Sequence, residues 1–445
     1  MPTDTQDTRK STQRERLVAG MVAAANTHGY AGANVARVIE HAGVSRPTFY
    51  DYFADRDDCF LQTNREISQR LLSQVNDAVA AAPPEHALRA ALRRVVERAE
   101  AEPAQAHFLA NATMAGGPLA LDERDKAIAE LERIVIKASA DTPPQTPTPD
   151  LPPRVAFGAI HWLIYPRVRR GAGELTGLAD ELESWIERYN LPHGRHRWQE
   201  LRPGPPPPPT KHLSELALHA PKPLSPGRSR MPHAEIMRNQ RERIMYATAT
   251  LSAHKGYTAT TIEDITTTAR LDRRAFYNHY HDKQDAFLAV HELAIHQIMA
   301  VGAQGYFSAR DWPERIWQGI LAACHFQATH PAISHMGYVE SHAVGAPAIQ
   351  RIEDSHRAFA IFLQEGNQHT DVTPNGTATQ AITAAIFEIG YHQTRGGQSS
   401  HLPRYAHIAA YLALAPYLGP TAANAFIDKK LRPSDRPAER RLSLR

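Results

Sequence analysis

The residues best suited to chemistry lie in two arginine-bearing stretches. Arg46 stands within Ser45-Arg46-Pro47-Thr48-Phe49-Tyr50-Asp51, and Arg273 and Arg274 stand within Asp272-Arg273-Arg274-Ala275-Phe276-Tyr277-Asn278-His279. A guanidinium can donate two parallel hydrogen bonds to one guanine, the commonest specific base contact in DNA. Asn278 has the donor and acceptor that adenine requires, and Asp51 can accept from cytosine. Thr48, Tyr50 and Tyr277 can bond phosphate oxygens, as can Arg56 and Lys283. Asn278 and Asp51 are equally at home as uninvolved surface groups, and simple surface packing is the alternative for Tyr50 and Tyr277.

Such residues read bases only if a helix presents them. Val35, Val38, Ile39 and Ala42 recur at helical spacing, as do Ile262, Ile265 and Ala269. Gly43 permits the left-handed backbone of a sharp turn. Ser45 and Asp272 sit where an N-cap belongs. Phe49 with Phe53, and Phe276 with Tyr280, lie four apart and face a core, which turns Tyr50 and Tyr277 elsewhere. Each stretch therefore reads as a helix-turn-helix whose second helix enters the major groove.

The two stretches belong to a larger repeat. Arg14-Glu15-Arg16 and Arg241-Glu242-Arg243 lie 227 positions apart, and Gly29-Tyr30, Phe49-Tyr50, Asp55, Asp58 and Phe60-Leu61 recur at the same spacing without a gap. Pro103, Ile160, Tyr165 and Gly171 pair with Pro331, Ile386, Tyr391 and Gly397 at nearly that spacing. A constant offset over this range implies duplication of a whole domain. No strand-like alternation appears in either half, so the expected fold is all-α.

Helices are expected at 13–28, 57–80, 86–100, 103–115, 120–140, 153–170 and 175–190, with a polar disordered start over 1–12 and a proline-rich loop over 141–153. Residues 202–232 carry Pro203, the run Pro205 to Pro209 and four later prolines, and read as an extended linker. The expected organisation is a first DNA-reading domain over 1–60, a helical domain over 61–200, the linker over 201–232, a second reader over 233–290, a second helical domain over 291–425 and a basic tail over 426–445.

The chain has 445 residues, 42% of them apolar, and a formal charge of +3, so bulk charge does not announce a nucleic-acid partner. Distribution is more telling. Arg9, Lys10, Arg14 and Arg16 approach the first reader, and Lys222, Arg228, Arg230, Arg238, Arg241 and Arg243 approach the second. Two distant cysteines, Cys59 and Cys324, build neither a disulfide framework nor a zinc site. No leader segment and no apolar run long enough for a bilayer are read, so the cytoplasm is expected.

No catalytic, metal or cofactor constellation emerges. His291-Glu292 and His296 approach a zinc-protease motif, but the histidines are five apart instead of four and point in different directions. The glycines of Gly171-Ala172-Gly173 lack dinucleotide-loop spacing. His325, His330, His335 and His342 repeat no metal spacing. A small-ligand cavity is instead expected in the later helices, with His107, Phe108 and Trp162 in the first half, and Trp317, His325, Phe326, Tyr338 and Tyr391 in the second. An ordinary filled core suits any one of them equally well.

A first helix ending in Gly-Tyr, a helix-turn-helix with Phe-Tyr in its second helix, a carboxylate-rich turn and Phe-Leu together resemble the TetR family of bacterial transcriptional regulators. The match covers about 50 residues in each half. The resemblance implies two tandem TetR-like repeats, each an N-terminal helix-turn-helix followed by a helical ligand-binding and dimerisation domain. It implies operator binding, release by a small-molecule effector, and pairing through the late helices, 153–190 and 377–418. The family's DNA contacts carry over onto Asn34, Arg46, Pro47, Thr48, Tyr50 and Arg56, and onto Thr261, Arg273, Arg274, Tyr277 and Lys283. Arg270 replaces the turn glycine and Ala275 replaces Thr48. The expected protein is a double-stranded-DNA-binding repressor without cofactor or membrane, paired within one chain or as a homodimer. The competing readings are a ligand sensor with one functional reader, and a helical enzyme.

Overall fold

Long stretches without interior proline or glycine favour helices, and helices are what the chain forms in a computed structural model. It describes residues 3–192, 221, 232–371 and 373–431. The expected linker lies outside these residues except for Pro221 and Pro232, as does the expected tail beyond Leu431. The chain divides into two compact units, Met1–Arg195 and His196–Arg445.

In the first unit α1 (Thr3–Gly32) is followed by α2 (Val35–Ala42), α3 (Arg46–Tyr50) and the 25-residue α4 (Arg56–Ala80). Helix α1 starts well before the expected Gln13, because nothing between Thr3 and His28 breaks a helix; Gly29, at φ 69°, interrupts it. Leu17, Met21, Phe49, Phe53 and Phe60 are buried together where these helices meet. Gly20 makes the meeting close, since a Cβ there would lie 2.7 Å from the Val38 carbonyl oxygen.

Further helices complete the unit: α5 (Ala87–Ala101), α6 (Pro103–His107), α7 (Thr113–Ala115), α8 (Gly117–Ser139), α9 (Pro153–Arg170) and α10 (Leu178–Glu187). Between α6 and α7 the residues Phe108–Ala112 form a π-turn. The proline-rich loop is not wholly irregular. Its β1 (Pro147–Pro149) pairs antiparallel with β2 (Asn190–Pro192), Thr148 opposite Leu191. Proline lacks an N–H, so only a short two-stranded edge forms.

The second unit repeats the pattern. Helices α11 (His233–Lys255), α12 (Ile262–Ala269), α13 (Arg273–Tyr277) and α14 (Lys283–Phe307) gather Ile244, Phe276, Tyr280 and Phe287 into the matching core. Beyond them lie α15 (Trp312–Thr329), α16 (Pro331–His335), a π-turn at Met336–Glu340, α17 (Ser341–Val344) and α18 (Ala346–Ala360). The late helices are α19 (Gly376–Arg395) and α20 (Ala406–Leu418), and α20 is buried on every side from Ala406 to Tyr417. Helix α21 (Pro420–Lys430) takes in the first residues of the expected basic tail. Among the described residues one helix, α14, is long and apolar enough by length and composition alone to cross a membrane. Its sequence also carries Lys283, Asp285, His291 and Glu292, and it supplies the second unit's cavity wall.

Candidate DNA-reading faces and ligand cavities

Each reader is set by caps. In the first, Asn34 Oδ1 accepts the Arg37 N–H at 3.0 Å, and Ser45 Oγ accepts the Thr48 N–H at 3.3 Å. In the second, Thr261 and Asp264 form a reciprocal capping box, and Asp272 Oδ1 accepts the Ala275 N–H at 2.7 Å. Asn34, Ser45 and Thr261 thus have structural work as caps, and Asn34 and Thr261 remain exposed while they do it. The turns match: Gly43 lies at φ 60° and Arg270 at φ 52°. Arg270 is the one non-glycine residue with positive φ among the described residues. Arg16 donates to the Gly43 carbonyl at 2.6 Å, and Arg243 donates to the Arg270 carbonyl at 2.7 Å. Two pseudo-equivalent arginines therefore brace two pseudo-equivalent turns.

The two short helices expose different side chains. On α3, Arg46, Pro47 and Tyr50 are exposed, followed by Asp51. On α13, Arg273, Arg274 and Tyr277 are exposed, followed by Asn278. Tyr50 and Tyr277 are 50% and 52% exposed, each ring edge-on to the buried phenylalanine before it. The Thr48 hydroxyl lies 2.8 Å from Ser45 Oγ, whereas Ala275, in the same place on α13, is buried. His279 does not join the exposed face: its Nε2 lies 3.2 Å from Gln240 on α11, as the Tyr52 hydroxyl donates to Gln13 at 3.3 Å. Burial first, and then the nearby Arg241, push the His279 pKa down.

Arg56 and Lys283 are also placed differently from expectation. Arg56 donates to the Tyr30 carbonyl at 2.8 Å and sits 4.2 Å from the centre of that tyrosine ring. Lys283 donates to the Tyr257 carbonyl at 2.8 Å, again 4.2 Å from the ring centre. Both cations clamp the end of the first helix of their unit to the start of α4 or α14, instead of projecting freely from the reading face.

Behind each reader lies a cavity. That of the first unit measures about 130 Å³ and is lined in part by Asn64, Leu71, Arg98, Thr113, Phe157 and His161. That of the second measures about 180 Å³, with Tyr306, Tyr338, Phe359, Phe362 and Phe387 among isoleucines. Arg98 pairs with Glu102 at 2.6 Å, and buried Arg124 lies 3.1 Å from Asp125. Among the described residues, no Asp, Glu, Lys or Arg lines the second cavity. His291, on its wall, is pushed down to about 4, by burial first and by Arg351 second, so its imidazole is neutral near pH 7. Nor are three His, Cys, Asp or Glu among the described residues grouped to hold a metal ion, and Cys59 and Cys324 are free thiols.

The family described as bacterial regulatory proteins of the tetR family matches the chain twice, over residues 18–63 and 244–290. These are the two readers. The chain is a tandem TetR-like protein. TetR-family regulators are DNA-binding transcriptional regulators. No curated protein matches the chain. Among solved structures, a bacterial regulatory protein in the tetR family from Rhodococcus RHA1 is similar at 24% identity over 40% of this chain and 96% of its own, with a TM-score of 0.33. A TetR family transcription regulator from Marinobacter aquaeolei VT8 is similar at 20% identity over 42% of this chain and 98% of its own, with a TM-score of 0.34.

In this tandem TetR-like protein the cavity walls differ from the residues expected in them. Of those, Tyr338 lines a cavity, and its hydroxyl donates to Gln327 Oε1 at 3.1 Å. His107 stacks on Tyr165, and Phe108 packs on Phe60 in the reader's core. Phe326 stacks on His330, Tyr391 is fully buried, and Trp317 and His325 are half-buried away from the cavity. Trp162 yields its place to His161, His325 to Cys324, and Tyr391 to Gly390. One residue turns a helix by about 100°, so a neighbouring position faces elsewhere. Asn64 and His291 are cavity residues that sequence reasoning missed. The signal that marks them is the repeat spacing itself, which aligns two polar residues inside the apolar stripe of α4 and α14.

Proposed function

We propose that this tandem TetR-like protein is a sequence-specific repressor that holds one operator with both readers of a single chain. A small molecule entering a cavity behind a reader releases the DNA. The reading is supported by one observation: two short helices with matching side-chain caps and turn geometry expose unlike side chains, Arg46 and Asp51 against Arg273, Arg274 and Asn278. TetR regulators usually form homodimers, which bring two readers to DNA. Here duplication supplies both, and tethering them raises their effective concentration for each other. Family proteins of this kind work where the chromosome is, in the cytoplasm.

A mobility-shift assay on the region upstream of the chain's own gene tests the first step. Binding is expected with a log–log salt slope near −5, as neutralising about six phosphates requires. Binding that ignores sequence, or that has no salt dependence, defeats the repressor reading.

A further inference from the structure

Asn64 on α4 and His291 on α14 are 227 positions apart and occupy the same place in their units. Each lines its unit's cavity, and each is almost fully buried, at 1% and 3% exposure. Each is held by a hydroxyl at the end of the neighbouring π-turn. Thr113 donates to the Phe108 carbonyl at 3.3 Å, and its oxygen accepts from Asn64 Nδ2 at 2.5 Å. Ser341 donates to the Met336 carbonyl at 2.9 Å, and its oxygen lies 3.4 Å from His291 Nε2.

A hydroxyl has one proton. In both units that proton goes to a main-chain carbonyl, so the hydroxyl must accept from the side chain across from it. Asn64 is thereby fixed with its amide nitrogen towards Thr113, and His291 as the tautomer protonated on Nε2. What remains on each is an acceptor, Asn64 Oδ1 and His291 Nδ1. Neither has a hydrogen-bond partner among the described residues. A buried unpaired acceptor is costly, and the same arrangement stands in two halves that have otherwise diverged, with different residues supplying it.

The rest of each wall limits what could satisfy the acceptor. Among the described residues no charged side chain lines the second cavity, and the arginines of the first have acidic neighbours. An ion would lose its hydration in the second cavity without compensation, and in the first the charged wall groups are Arg98 and Glu102, paired with each other, and Arg124 beside Asp125. At about 130 and 180 Å³ the spaces bracket an engineered 150 Å³ apolar cavity that takes up benzene. We propose that both cavities recognise a neutral, largely apolar molecule bearing one hydroxyl or N–H donor, anchored on Asn64 Oδ1 in the first unit and on His291 Nδ1 in the second. The inference rests on reading the cavities as effector sites, and it adds the chemistry they select. It also gives the anchor a route outward, because the second π-turn carries Glu340, whose carboxylate accepts the Tyr257 N–H at 2.7 Å beside the Lys283 clamp.

Phenol, toluene and benzoate separate the possibilities when titrated by calorimetry into the full chain. Phenol is expected to bind about threefold or more tightly than toluene, with benzoate weakest. A cavity that measures only apolar area ranks toluene first, since phenol must desolvate its hydroxyl. The double variant Asn64→Leu, His291→Phe should put toluene first, while His291→Asn, which borrows the first unit's acceptor, should keep phenol first. The proposal is overturned if toluene leads in the parent. It is equally overturned if phenol still leads in a double variant whose helical circular dichroism is intact, or if none of the three binds at millimolar concentration. Should the double variant fail to fold, the parent ranking decides alone. Repeating the titration on the operator complex separates this inference from effector release. Phenol-first binding that leaves DNA bound defeats release and spares the anchor; release with toluene first does the reverse.

Discussion

An arginine on an exposed first turn is held by nothing but what it meets, and Arg46, Arg273 and Arg274 are such residues. Arg46→Ala should weaken operator binding by roughly 1–3 kcal/mol and relax preference at one base pair. Shift assays against operators substituted one base at a time check both effects, and unchanged selectivity would remove Arg46 from base reading. Arg56 and Lys283 should behave differently. Each holds a carbonyl and a tyrosine ring of its own unit, so replacement by alanine should lower unfolding free energy by about 1 kcal/mol, read by denaturant titration without DNA. Their residue type and place suggested phosphate, and nothing in the sequence showed that a tyrosine ring would be underneath. Buried imidazoles set a pH limit. His291 and His407 are pushed down to about 4, chiefly by burial. The unfolded chain takes up these protons near pH 6.5 and the folded chain does not. Stability should therefore fall as pH drops from about 6.5 towards 4, by on the order of 2 kcal/mol for each of the two rings between pH 7.5 and 5. Equal denaturation midpoints at those two pH values would contradict the burial of these rings as neutral groups.

At the scale of elements, the two tight turns differ by one side chain. Arg270 holds the left-handed backbone that Gly43 adopts without steric cost. Arg270→Gly should stabilise the second reader by up to about 1 kcal/mol, shifting the melting temperature upward by about 2–4 °C. A lower melting temperature would mean that the arginine side chain contributes more than its backbone conformation costs. These turns and caps were legible because Ser45, Asp272, Gly43 and the repeat spacing mark them directly. The π-turns were not, because one added residue leaves the apolar stripe nearly intact while rotating every later position of the helix. Phe108 and Tyr391, expected at a ligand, were misplaced for a simpler reason: Leu109 and Gly390, one position away and so turned by about 100°, line the cavities instead. The pairing of Thr148 with Leu191 was hidden for another reason: prolines on both sides mask any strand signal.

For the whole molecule, the prediction concerns mass and symmetry. If one chain supplies both readers, light scattering of the operator complex should give one 49.4 kDa chain per site, and the footprint should contain two unlike half-sites about one helical turn apart. Two chains on a perfect palindrome would sink that arrangement. The duplication was readable from Arg14 to Gly171 against Arg241 to Gly397, because nearly equal spacing survives where residue identity fades. The divergence between its halves bears on inheritance. In a regulator made of identical chains, one altered codon changes both halves of the recognised site together, so any new site must change twice before it is bound. Here the codon for Arg46 and the codon for Arg273 are separate. If one chain holds both half-sites, a single mutation can retune one half while the other keeps its grip, and a lineage carrying this gene can walk from one target sequence to another one half-site at a time.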